Sequence, residues 1–348
     1  MTRPWLMVLV TSICASGTAC SSSGMTSARD RILADTAADG SALDFDVTAT
    51  HASSAVLPRY DPTATLSGTM ISIGSSTTTN LVARVAAEFK QMYPDVQMQI
   101  SASLTAAGLT ALMDGGADIV PMSRSLAPEE ISMFAASRGY PPTEIKVAAD
   151  ALAIFVHKSS PLQGLTLEQL HDIFSHAQHP GRNWIETWGQ LGLEGEWKDR
   201  PIALYGYSAD DGAYDTFQRK VLDGGSFRLT VKAERGGSSI VQDIAAEPGG
   251  IGYASIFFAC NRIRAVPLMG IDGNLHHPTE EGVGEREYPL RRFLYICVDK
   301  PPHQALTGPA REFLRFLLSR EGQQVVADGG NYSLDAATVE EGRRALGE

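Results

Sequence analysis

Two strand-to-helix turns in this chain carry side chains of opposite chemistry. The first, GSSTTTN at 74–80, follows the apolar run MISI and precedes a helical pattern of Leu81, Val85, Phe89 and Met92. Its hydroxyls and free backbone N–H groups form an anion cradle at a helix N-terminus. The second, GYSADDGAYDTF at 206–217, links the strand IALY to a helix, and Asp210 and Asp211 fill the turn. A cradle for an anion is thus set against a pair of carboxylates.

Other groups suggest less. Gly206-Tyr207-Ser208-Ala209-Asp210 comes within one residue of the G-x-S-x-G elbow of serine hydrolases, but Asp210 replaces the last glycine and no histidine is placed as its partner. His171, His176 and His179 cluster without an acid or cysteine at ligand spacing, so they read as surface or loop histidines and no metal is expected. Arg235-Gly236-Gly237-Ser238-Ser239 is a further donor cluster that helix capping by serine explains, and Arg291-Arg292 read as surface or crossing-strand charges.

The elements that must position these groups alternate. MISIG, VQMQI, ADIVPM, VAADALAIFVHK, IALYG, IGYA and FLYICV read as strands. Between them lie helical patterns at 79–92, 105–114, from Pro128, after the capping box Thr166/Gln169, at Tyr214-Phe217-Val221 and at Ile240-Ile244. PAREFLRFLLSREGQQVVADGG reads as one amphipathic C-terminal helix. Repeated β-then-α order predicts mainly parallel sheets covered by helices, and 348 residues with 43% hydrophobic content suit two such lobes.

A net charge of -11 argues against nucleic acid or anionic membrane as the main partner and leaves any anion site dependent on local donors. Residues 1–20 read as an export signal, with Arg3 before a short apolar stretch. Gly17-Thr18-Ala19-Cys20 resembles a lipoprotein lipobox, with Gly17 where an aliphatic residue is usual, so lipidation of Cys20 is expected. Residues 21–66, rich in Ser, Thr, Ala and Asp, read as a flexible tether, with the globular part starting near Ser67. Cys260 and Cys297 fit either a disulfide or two buried thiols.

From about Gly68 to Leu346 the chain resembles the phosphate-binding proteins of bacterial high-affinity phosphate ABC importers. The matching segments, in order, are GSST at 74–77, DGGADIVPMSRSL at 114–126, GLTLEQLHDIF at 164–174 and TWGQLGL at 187–193. They continue with LYG…YDTF at 204–217, GGIGYASI at 249–256, YPLRRFLYICVDK at 288–300 and FLRFLLSREGQQVV at 313–326. The resemblance implies a two-lobe periplasmic-binding-protein fold. Lobe I would be 67–158 plus 259–348 and lobe II 159–258, with crossings near Val156–Ser159 and Ala254–Arg262. It implies a non-enzymatic, extracytoplasmic solute-binding protein with no cofactor, held to the membrane by lipid alone. It would capture inorganic phosphate or a related solute for ABC permease subunits. The alternatives are a diverged paralogue with altered or lost ligand, acting as sensor or scaffold, and a serine hydrolase.

Carried over residue by residue, the family's first-lobe ligands fall on Ser76, Thr77, Thr105, Ser123 and Arg124. The turn holding Thr105 departs from the family, with Leu104, Ala106 and Ala107 in place of glycines and serines. In the second lobe Tyr207 replaces the family's Arg, and Asp211-Gly212-Ala213 replaces Ser-Gly-Thr. A phosphate dianion about 4 Å from an ionised carboxylate would be opposed by several kcal/mol. Losing a bidentate Arg would cost roughly 1.5–3 kcal/mol more. Three arrangements of Asp211 follow: a cross-cleft pair with Arg124, a partner for an amine-bearing ligand, or, together with Asp210, a solvated helix cap.

Overall fold

The computed structural model describes residues 57–62, 65–209, 211–284 and 287–348. The expected signal, Cys20, most of the tether and Asp210 lie outside these residues. In chain order, β1 (Gly68–Gly74), α1 (Ser76–Met92), β2 (Val96–Ala102), α2 (Thr105–Met113), β3 (Val120–Met122) and α3 (Pro128–Arg138) precede the long β4 (Thr143–His157). Next come α4 (Leu167–Phe174), β5 (Ala203–Tyr207), α5 (Gly212–Val221), β6 (Lys232–Glu234), α6 (Gly237–Ala246), β7 (Gly250–Ser255) and β8 (Ile263–Val266). The short β9 (Leu268–Met269), β10 (Leu275–His276) and α7 (Glu280–Gly284) lead to β11 (Arg291–Val298), α8 (Gly308–Leu317), α9 (Arg320–Asp328) and α10 (Ala336–Leu346). Among the described residues no helix is long and apolar enough to cross a membrane.

The β–α–β units pair in parallel as the alternation predicts. The expectation of mainly parallel sheets is corrected, because β11 runs antiparallel to β3 and β4, and β4 antiparallel to β7 and β8. β1 lies parallel to β2, and β5 lies parallel to both β6 and β7. The strands that carry the chain between lobes are antiparallel. Residues Thr143 to Ala151 of β4 pair with β11, and Leu152 to His157 then pair with β7 and β8. A continuous, doubly buried strand explains the apolar run at 147–156, interrupted only by Asp150. The handover between Ala151 and Leu152 comes earlier than the expected crossing at Val156–Ser159.

Two cores match the two lobes. One gathers Phe89, Phe313, Phe316 and Leu294 under α1 and α8, with a satellite of Leu109, Val120, Phe134 and Cys297 beneath α2 and α3. The other gathers Phe155, Phe174, Phe217 and Tyr253, with Phe217 stacked on Tyr253 at 4.0 Å between ring centres. That second core also takes Val266, Leu268, Val283, Tyr288 and Leu290, so the chain stays with it well beyond the expected return at 259.

Two further expectations are corrected. The folded body begins by Leu57, which is buried in the first core; Tyr60 packs on Phe316 and bonds Tyr93 and Glu312. The C-terminal helix is two helices, because Ser319 Oγ donates to Phe316 O (2.6 Å) and accepts from Gly322 N (3.1 Å), capping a new start. A Cβ on Gly322 would lie 2.0 Å from Phe316 O, so only glycine allows this sharp break.

Candidate functional site

The first-lobe turn divides its hydroxyls between two tasks. Thr78 Oγ1 donates to Met122 O (2.9 Å) and Thr79 Oγ1 to Gly74 O (3.2 Å), which fastens α1 to β1 and β3. Gly74 lets Pro121 approach, since a Cβ there would stand 2.2 Å from Pro121 O. The hydroxyls of Ser75, Ser76 and Thr77 are buried and make no hydrogen bond, and Ser123, just beyond β3, is in the same state. Thr105 is buried at the first turn of α2, reached directly after Ser103 N donates to Gly74 O. The expected first-lobe hydroxyls thus lie just beyond the ends of three strands, Ser76 and Thr77 after β1, Thr105 after β2 and Ser123 after β3.

The second lobe meets them with two helix starts. Gly212, the first residue of α5, abuts the first lobe so closely that a Cβ would fall 2.4 Å from Ser123 Oγ and 3.2 Å from Arg124 Cγ. Gly236 and Gly237 open α6. A Cβ on Gly237 would lie 2.6 Å from the Tyr207 hydroxyl, and one on Gly236 would lie 3.9 Å from Ser76 Oγ. The α6 N-cap is Gly236 rather than a serine, which corrects the capping explanation of that segment. Sequence reasoning missed these glycines as parts of the site, although a Gly-Gly pair before a helix signals close backbone approach.

Tyr207 ends β5 and is fully buried, with its hydroxyl facing Thr77 outside hydrogen-bonding geometry. Burial, then the charge of Asp211, drives its pKa upward, while Arg292 opposes the shift. It remains a neutral phenol, able to donate. Asp211 caps its own helix: Oδ1 accepts from Ala213 N at 2.7 Å.

Arg124 does not pair with Asp211, which corrects that expectation. Its Nη1 and Nη2 grip Glu130 at 2.7 and 3.0 Å, and its Nε reaches Asp215 Oδ2 at 3.2 Å across the cleft. Asp215 also binds Arg219 at 2.7 Å. The reason is positional: Asp211 turns back onto the first N–H groups of α5, while Asp215 one turn later points at the other lobe. Burial raises the Glu130 carboxyl, but Arg124 and the Ala127 N–H outweigh it and hold it below the usual range. Hydrogen bonding to Glu130 makes Arg124 still harder to deprotonate.

A buried ion pair beneath the site also escaped the sequence reading. Asp150 of β4 faces Arg292 of β11 in register, Oδ2 to Nε at 2.8 Å. Asp150 Oδ1 further accepts from Ser255 Oγ (2.7 Å) and Asn331 Nδ2 (3.4 Å). Arg292 is therefore no surface charge. The signal was an aspartate inside the apolar run VAADALAIFV, since an isolated buried carboxylate is too costly to stand alone.

The remaining groups settle into structural places. His171 is buried and stacked on His179 at 3.8 Å, not on the surface as expected, and burial followed by the His179 charge lowers its pKa. Among the described residues no His, Cys, Asp or Glu cluster could hold a metal. Cys260 and Cys297 are free thiols, Cys297 fully buried. Ser208 lies in the turn after β5, where its N–H donates to Glu234 O and its carbonyl accepts from Asp211 N.

Known proteins share this architecture. The profile described as a PBP superfamily domain matches residues 61–321. The phosphate-binding protein PstS of Pseudomonas aeruginosa is 38% identical over 314 residues, which covers 88% of this chain and 97% of that protein. Protein SphX of Synechococcus elongatus is 27% identical over 72% of this chain and 73% of its own. A substrate-binding protein from Clostridium perfringens, solved with bound phosphate, superposes with a TM-score of 0.66 at 26% identity, covering 77% of this chain and all of that one. With a superfamily profile across most of its length and a close relative along nearly all of it, the chain belongs to the PBP superfamily and, within it, to the family of the phosphate-binding protein PstS.

Proposed function

We infer that this protein is the solute-binding component of a phosphate ABC importer and that it captures an oxyanion between its lobes. The observation that carries this reading is the set of buried hydroxyls on Ser76, Thr77, Ser123 and Tyr207 that make no hydrogen bond where helix starts of both lobes meet. A buried hydroxyl without a partner costs about 1–3 kcal/mol, so a group of them implies a ligand that completes them. Helix N-termini add the field that the negatively charged chain as a whole does not provide. Thr105, Arg124, Asp211 and Gly212 complete the lining. Arg124 and Asp215 latch the closed lobes, and the lobes hinge where β4 changes partner. On this reading the protein works outside the cytoplasm, anchored by lipid at Cys20, and delivers its ligand to permease subunits. No chemistry is catalysed.

A calorimetric titration of the mature protein with inorganic phosphate, repeated at several salt concentrations, tests this. Saturable binding of one phosphate is expected; no heat, together with no phosphate-induced rise in thermal midpoint, refutes it. The carboxylate of Asp211 at the α5 start favours a second reading, a ligand with an amine or other donor beside its anionic part. A thermal-shift screen in which amine-bearing compounds leave the midpoint unmoved while phosphate raises it eliminates that reading.

A further inference from the structure

We propose that Arg292 is the cationic ligand group of this site and takes over the role of the guanidinium that Tyr207 displaces; the proposal rests on the phosphate reading above. Arg292 is 7% exposed, and its Nη1 and Nη2 have no hydrogen-bond partner. A guanidinium fork this deeply buried with both terminal nitrogens idle awaits an acceptor, because each idle donor carries a desolvation cost. Asp150 fixes the fork from behind through Nε. Its own second oxygen is taken by Ser255 and Asn331, so the carboxylate is turned away from any ligand.

Position supports the role. Arg292 stands opposite Asp150, two residues before β4 passes from pairing with β11 to pairing with β7. Its charge acts on the Tyr207 hydroxyl, which itself faces Thr77 and the start of α6. Lys220, with Nζ held by the carbonyls of Pro289 and Arg291, adds a second positive group near Arg292, and burial followed by the neighbouring arginines lowers its pKa. Arg124, by contrast, is already engaged by Glu130 and Asp215. The ligand charge therefore falls to Arg292, a bidentate donor held rigid before binding.

The test is phosphate calorimetry on wild type, Arg292→Lys, the double variant Asp150→Asn/Arg292→Met and the neighbouring control Arg291→Gln. The double variant leaves no orphan carboxylate, and circular dichroism with thermal melts checks that it folds. Expected losses of affinity are roughly tenfold for Arg292→Lys and roughly 100-fold for the double variant, against less than about twofold for Arg291→Gln. Labelled-arginine NMR should show the Arg292 Nη signals shifting on phosphate addition. A folded double variant within about threefold of wild type overturns the proposal. Should that variant not fold, Arg292→Lys decides: phosphate affinity equal to wild type, with unmoved Nη signals in the latter, overturns it as well. A wild type that binds no phosphate refutes the phosphate reading itself, and this one with it.

Discussion

Replacing Gly212 with Ala separates lobe closure from folding. Gly212 opens α5 with its φ outside the left-handed region, so alanine fits the backbone and should favour the helix, by up to about 1 kcal/mol. The added methyl would sit 2.4 Å from Ser123 Oγ, 3.2 Å from Arg124 Cγ and 3.5 Å from the Ser123 carbonyl carbon. The lobes then part by about an ångström, or Ser123 rotates and withdraws its hydroxyl. Overpacking of this kind costs about 1–3 kcal/mol, and it falls on the closed state alone. Phosphate affinity should drop roughly fivefold to 150-fold while the unliganded melting temperature stays level or rises. Calorimetry and a thermal melt measure both signs, and small-angle scattering should show a larger radius of gyration. Unchanged affinity and unchanged radius in folded Gly212→Ala would refute the claim that the Gly212–Ser123 approach is the closed binding interface.

Tyr207→Phe removes a buried hydroxyl that lacks a partner. Thermal melts should show equal or higher stability, while phosphate binding weakens by roughly fivefold to tenfold; a loss of stability with intact binding would contradict the donor role. Thr166→Ala deletes the cap that accepts from Gln169 N at 3.0 Å, so urea unfolding should show a loss of about 1 kcal/mol with binding unaltered. Glu130 titrates in the folded protein below its ordinary 4.5, so the folded state binds fewer protons than the unfolded one there. Its stabilising contribution is therefore complete above about pH 4.5 and fades as pH falls through the lower folded value. Glu130→Gln should flatten that acid limb of a stability–pH curve; an unchanged limb argues that Arg124 does not hold the carboxylate.

Much of this was legible in the residues. The Thr166/Gln169 box is formed as read, Thr166 N donating to Gln169 Oε1 at 2.9 Å, because a capping box is complete within four residues. The strand–helix alternation, and with it the position of both turns, follows from period and apolar content. What was misread depends on distant partners. The run 309–330 keeps a helical period through Ser319, and only the close pass of Gly322 over Phe316 O shows the break. Gly236 and Gly237 read as part of a donor cluster that serine capping explains until Ser76 and Tyr207 are placed against them.

The sequence by itself determined that strands hand over to helices at the two turns, and which turn carries hydroxyls and which carries acids, since those rest on neighbours along the chain. Tertiary structure decided which of those groups remain free. Thr78 and Thr79 are tied to the strands while Ser76 and Thr77 are not, and Arg124 is claimed by Glu130 and Asp215. Arg292 came to face Asp150 only because β11 pairs with β4 in that register. A side chain's type fixes the bonds it can make, but its availability to a ligand depends on which remote atoms the sheet register brings within 3 Å, and no local pattern encodes that.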